Sequence, residues 1–203
     1  VVRAKRPKRL PVVLTRDEVK DLFSELNGVA QLVGTLLYGA GLRVLECLRM
    51  RVKDVDFQRN QIVVRDGKGQ KDRVTMLPTS SKQALLDHLK RVHRQHEDDL
   101  RRGLGRAPLP YALARKYVNA DREWGWQYVF PASRHYVDRQ SGVQHRHHVH
   151  ETEIQQAVRD AARQASPSRR TRSVIRLPLT CSKRAMTFGP CKSCWVMRAS
   201  RRR

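Results

Sequence analysis

Two short runs set the architecture: Gly39-Ala40-Gly41-Leu42-Arg43-Val44-Leu45-Glu46 and, downstream, Asp66-Gly67-Lys68-Gly69-Gln70-Lys71-Asp72. The first is a glycine-flanked turn that opens a helix reaching about Met50. The second is a Gly-rich loop joining two β segments, Gln61–Arg65 and Arg73–Leu77, and Pro78 stops the second. Arg43 is thereby placed in the first turn of a helix and Lys68 at the tip of a hairpin. Alone, an arginine in a first turn is usually a surface or ion-pair residue, and Gly-Lys-Gly is usually only a turn. Their order and spacing give the pair its meaning.

Upstream, Thr15 followed by Glu18 is a capping-box pattern, so a helix is expected to begin at Arg16. Val19, Leu22, Phe23 and Leu26 keep helical spacing, and Asn27-Gly28 ends it. A nearly apolar helix covers roughly 29–38, and its all-round apolarity marks a buried core element. A long polar helix is expected over roughly 80–102, with Leu85, Leu86, Leu89 and Val92 inward. Residues 103–150 are less regular and hold the aromatic run Trp124–Pro131 and the tract His145–His150. Trp126, Tyr128 and Phe130 alternate there as core residues of a strand would. A further helix spans Thr152–Gln164. Helices gathered around one hairpin give an α+β class, mostly helical with a small antiparallel β-hairpin or sheet.

The 203 residues carry 42 Lys and Arg against 19 acids, a net charge of +23 and a pI near 11.1. Such an excess favours a polyanion, because each neutralised phosphate releases a condensed counterion. A ribosome-type or generally basic RNA-associated protein is the alternative. An anionic membrane surface is the poorer one, since no segment has the apolar length to span a bilayer. Cys47 stands alone in a helical pattern, and Cys181, Cys191 and Cys194 are bunched, which is no secreted disulfide framework. The opening stretch Val1–Pro11 has neither an apolar core nor a cleavage site. A cytoplasmic chain with reduced thiols is expected. The histidine tract is irregularly spaced with no cysteine nearby, so neither a metal nor another cofactor is expected.

The run GAGLRVLECLRMRVKDVDF followed by GKGQKDRVTMLP resembles the first block of the tyrosine recombinases, the phage-type integrases. The resemblance implies that Arg43 is the first catalytic arginine, Lys68 the catalytic lysine, and Glu46 the glutamate that orients or buffers the guanidinium. It makes Lys71 and Arg73 candidates for DNA contact. In that family a tyrosine hydroxyl attacks a DNA phosphodiester, giving a 3′-phosphotyrosyl link and a free 5′-hydroxyl. Without a metal, cations of the protein must neutralise the charge growing on the non-bridging oxygens, which an arginine fork does bidentately. A lysine can protonate the departing 5′-oxygen.

Residues 103–150, with LPYALARKY and WGWQYVFPASRHYVDRQSGVQHRHHVHETEIQQAV, resemble the insertion that marks integron integrases. That resemblance implies DNA partners that include folded single-stranded sites, with extrahelical bases held by stacking. Trp124, Trp126, Arg146, His147 and His148 are the candidate contacts.

The family's second block supplies His-x-x-Arg and a nucleophilic tyrosine, yet no histidine or tyrosine occurs after His150. Residues 166–203 are basic, hold no acid and keep no clean period. Back-translated in the neighbouring frame, 170–203 can yield the missing block. The expectation is a frameshift between about Ala165 and Arg170, leaving a poorly ordered tail and no nucleophile. Domain organisation follows: a remnant arm over 1–12, a catalytic domain over 13–165 with the insertion at about 103–150, and the shifted tail over 166–203. DNA binding without cleavage is then the expected behaviour, a non-enzymatic DNA-binding fragment or pseudogene product the alternative. Relatives act as four protomers that exchange a C-terminal helix, so assembly on DNA is doubtful for this chain.

Overall fold

Thr15 starts the first helix as its capping pattern requires. Its hydroxyl accepts from the Glu18 amide at 3.2 Å, and the Glu18 carboxylate accepts from the Thr15 amide at 2.9 Å. Two orphan amides are satisfied reciprocally, and helix α1 runs Arg16–Glu25. Thr15→Ala is expected to lower stability by about 1 kcal/mol in urea denaturation. An unchanged midpoint would show that the cap contributes nothing.

The computed structural model describes residues 12–65, 72–110, 113–139, 142–165 and 196–197. Helix α2, Gly28–Ala40, buries Leu32, Val33, Gly34, Leu36 and Leu37, as its apolarity predicts. It stops because Gly41 turns left-handed at φ +64°, a conformation glycine adopts without a Cβ penalty. Helix α3, Val44–Leu48, follows at once, and a single 3-10 turn, Val52–Asp54, leads into β2 at Val55–Asp56. Strands β3, Gln61–Val64, and β4, Arg73–Met76, complete a three-stranded antiparallel sheet in the order β2-β3-β4. In β1, Val12–Val13 pairs antiparallel with β7, Val196–Met197. The remainder of 166–203 lies outside the described residues, and the expectation for its order lies there with it.

Helix α4, Thr79–Arg101, buries Leu85, Leu89 and Val92, but also His88, His96 and Asp99, which its apolar stripe does not announce. Each histidine is anchored: His88 Nε2 lies 2.8 Å from the Val129 carbonyl and His96 Nε2 3.0 Å from that of Arg122. Burial lowers the pKa of both rings. After the short helix α5, Leu113–Lys116, the aromatic run departs from the expected strand. Trp124–Trp126 form a 3-10 turn, and Val129 and Phe130 are both fully buried, so the alternation does not separate two faces. Strands β5, Pro131–Val137, and β6, Gln144–His148, make a two-stranded ribbon. Helix α6, Glu151–Ala165, sets Ile154, Val158 and Ala161 at helical spacing against α1 and α2. The core thus runs from α1 and α2 through α3 and the inner face of β3 to α6.

Candidate active site and nucleic-acid interface

Arg43 is the N-cap of α3, in extended backbone just after the left-handed Gly41. Its amide donates to Glu46 Oε2 at 2.9 Å, and its Nη1 pairs with Glu46 Oε1. The same carboxylate takes a second fork from across the fold. Arg73 of β4 donates from Nη1 to Oε1 at 2.9 Å and from Nη2 to Oε2 at 2.6 Å. The Glu46 side chain is only 7% exposed. Burial pushes its carboxyl upward, but the hydrogen bonds from Arg73 and Arg43 outweigh that and hold it at about 2. A buried carboxylate flanked by two guanidinium groups keeps both arginines fixed while remaining charged.

Lys68 and Lys71 belong to 66–71, outside the described residues. The two ends of that loop are described. Arg65 Nε donates to Asp54 Oδ1 at 2.7 Å, and Arg65 Nη1 lies 3.8 Å from Asp72 Oδ2. Since Arg73 reaches Glu46 from the next position, the base of the Lys68 hairpin stands beside Arg43.

The segment before the ribbon docks on Arg51, a residue the sequence did not single out. Its buried guanidinium donates to the Trp126 carbonyl, to the Pro108 carbonyl at 2.7 Å and to the Tyr128 hydroxyl at 3.4 Å. Backbone bonds from Val52 to Gln127 and from Val129 to Met50, each 3.0 Å, lie on either side. The Lys53 ammonium sits 2.8 Å from the centre of the Trp126 ring, so one face of that ring is occupied. Trp124 packs against His93 and His96, with ring centres at 4.6 and 5.8 Å, and is partly buried on the core.

Strand β6 explains the histidine tract by alternation: Arg146 and His148 are buried, His145 and His147 half-buried. Arg146, expected to touch DNA, is turned inward. Its Nε and Nη2 donate to the two oxygens of Asp99 at 2.8 and 2.9 Å, and its Nη1 to the Ala132 and Ser133 carbonyls at 2.6 and 3.2 Å. Those contacts bind α4 to both strands of the ribbon, so the residue supports the surface from beneath. His148 is inward as well, with Nδ1 2.8 Å from the Val149 carbonyl. Burial lowers its pKa to about 4.

His147 stands at the centre of an aromatic ladder that sequence reasoning missed. Ring centres run from His145 to Tyr136 at 5.8 Å, Tyr136 to His147 at 5.9 Å, and His147 to Tyr128 at 5.4 Å. Burial, then the nearby Arg49 and Arg51, lower the pKa of His147. The ladder is therefore neutral at physiological pH and offers π-faces, with the exposed Arg49 close enough to supply charge. Among the described residues, no group of three or more His, Cys, Asp or Glu is placed to hold a metal ion.

The phage integrase family model matches residues 12–176. The chain is 44% identical over 163 residues to integrase/recombinases of Escherichia coli and Pseudomonas aeruginosa, covering 80% of this chain and 48% of each relative. It is 44% identical over 98 residues to the tyrosine recombinase XerA of Thermococcus onnurineus, covering 47% of this chain and 33% of that one. Among solved structures, a crystal structure of XerA recombinase aligns with 83% of this chain and 47% of its own, at 25% identity and a TM-score of 0.49. The chain spans about half the length of the curated relatives it matches most fully. With the family model covering most of its residues, the chain belongs to the phage integrase family of tyrosine recombinases.

Proposed function

We propose that this chain binds DNA at recombination sites and carries the phosphate-neutralising half of a site-specific recombinase of the integron integrase type. The observation that carries this reading is the Arg43–Glu46–Arg73 cluster, in which an arginine is fixed by a buried carboxylate at the base of the Lys68 hairpin. Arg43 would grip the non-bridging oxygens of the scissile phosphate and stabilise the charge that grows there. Lys68 would donate the proton to the departing 5′-oxygen. The last tyrosine of the 203 residues is Tyr136, ahead of where the family's nucleophile would stand, and this supports the reading that these residues engage the phosphate without cleaving it. In this reading His147 and Trp126, both partly exposed, would receive an extrahelical base. A DNA substrate and the buried free thiol of Cys47 fit a reducing, cytoplasmic setting. Among the described residues no helix is long and apolar enough to cross a membrane.

Gel-shift titration with a duplex site and with a folded single-stranded site tests the reading. Affinity should fall steeply with salt, and Arg43→Ala should weaken binding roughly tenfold while reducing the slope of log K against log salt by about one. If Arg43→Ala and Lys68→Ala together matter no more than removal of two distant surface cations, a generic basic protein is the better description. A covalent adduct with a nicked suicide substrate would refute the absence of cleavage.

A further inference from the structure

We infer that Arg73 and Thr75 of β4 are positioning residues for Arg43, and that Arg73 acts through Glu46 instead of contacting DNA. The inference rests on the proposed phosphate role of Arg43 for its meaning and on the geometry of β4 for its evidence.

Strand β4 is inverted in polarity. Val74 and Met76 are 54% and 77% exposed, while Arg73 and Thr75 point inward beside the buried Leu77. A slip of one residue would bury these two apolar side chains and release the two polar ones together with Leu77, so the polarity of Arg73–Met76 does not favour the observed register. The observed register pairs Arg73 with Val64 and Thr75 with Ile62, and contacts to the turn that carries Arg43 support it. These contacts form a seam of three. Arg73 holds both Glu46 oxygens with one fork. The Thr75 hydroxyl donates to the Ala40 carbonyl at 2.9 Å, at the end of α2. At Gly39 a Cβ would come within 2.6 Å of Pro78 Cγ, so Gly39 is what lets the end of β4 approach α2. The seam therefore runs along residues 39–46 on one side and 73–78 on the other, with Arg43 between its anchor points.

A bidentate fork and a phosphate contact differ in what can replace them. Lysine substitutes for a phosphate contact as a point charge, but it cannot span two carboxylate oxygens in one plane. In the full 203-residue chain, Arg73→Lys and Arg73→Met should both weaken duplex binding, by roughly tenfold, the size of one charge-assisted pair. Both should lower the salt slope by about one, as Arg43→Ala does, although Arg73→Lys removes no charge. Arg43→Met combined with Arg73→Met should bind no more weakly than Arg43→Met alone. Thr75→Val should weaken binding in the same way with no loss of charge.

Carboxyl 13C titration, with Glu46 assigned through Glu46→Gln, reads the seam without DNA. The Glu46 carboxyl should titrate near 2 in the wild type and move up toward 4.5 in Arg73→Met. An Arg73→Met chain whose Glu46 titrates as in the wild type overturns the inference. So does an Arg73→Lys chain that keeps the affinity and salt slope of the wild type while Arg73→Met loses both, since lysine then replaces a direct phosphate contact. If the wild type binds no DNA, the recombinase reading falls, and the Glu46 titration still decides the seam.

Discussion

Arg146→Met should destabilise the chain by about 3–5 kcal/mol, because it strands the Asp99 carboxylate in the interior without its partner. The pair is 10% and 7% exposed at its two side chains, and the arginine also satisfies two carbonyls of β5. His135 does not replace it, since its Nε2 lies 3.5 Å from Asp99 and makes no hydrogen bond. A loss of that size is a large share of the roughly 5–15 kcal/mol that holds a domain folded. Chemical denaturation followed by tryptophan fluorescence measures it. The double variant Arg146→Met with Asp99→Leu should recover much of the loss, because no charge is then left buried alone. A single variant within 1 kcal/mol of the wild type would mean that water reaches the pair and the ribbon is held by other contacts.

Glu46→Gln is the second large effect, with a pH signature that identifies it. The carboxyl sits at about 2 in the folded chain against an ordinary 4.5. The folded value lies below the unfolded one, so the stabilisation is present in full above pH 4.5 and is lost as the pH falls toward 2. The difference corresponds to about 3 kcal/mol. Glutamine turns one acceptor into a donor that faces the donors of Arg43 and Arg73, so most of that contribution should vanish at pH 7. Stability of the wild type should drop between pH 4.5 and 2 by about 3 kcal/mol more than that of Glu46→Gln. Parallel pH curves for the two proteins would show that Glu46 is not held as described.

The helices were legible because their signals are local. The Thr15–Glu18 box, the apolar stretch 29–38 and the spacing of Leu85, Leu89 and Val92 all sit within one turn or one face. The Arg43–Glu46 pairing came from the resemblance, whose motif sets the two residues three positions apart at a helix start. The Arg73–Glu46 pairing was not legible, since 27 positions separate its members and nothing in either neighbourhood names the other. Arg73 and Arg146 were expected at DNA from the family resemblance of the stretches that hold them; sequence does not show that each faces a buried carboxylate. The β5–β6 ribbon escaped notice because the inward side chains of β6 are Arg146 and His148. Hydropathy alternation finds strands only when the inward residues are apolar. In the aromatic run, Val129 and Phe130 are buried side by side, so the alternation of Trp126, Tyr128 and Phe130 was accidental.

Arg51 joins the turn after α3 to a segment that runs from Pro108 to Tyr128, and its burial makes the two parts heritable only together. A lineage that lost the segment would return that guanidinium to water, and nothing in those contacts would then hold position 51 to arginine. A lineage that gained the segment had to acquire the arginine, or tolerate a loosely attached insert until it did. Phage integrase relatives without a counterpart of this segment are therefore expected to have no requirement for arginine where this chain has Arg51. Grafting the segment into one of them should fail to order until that residue is made arginine.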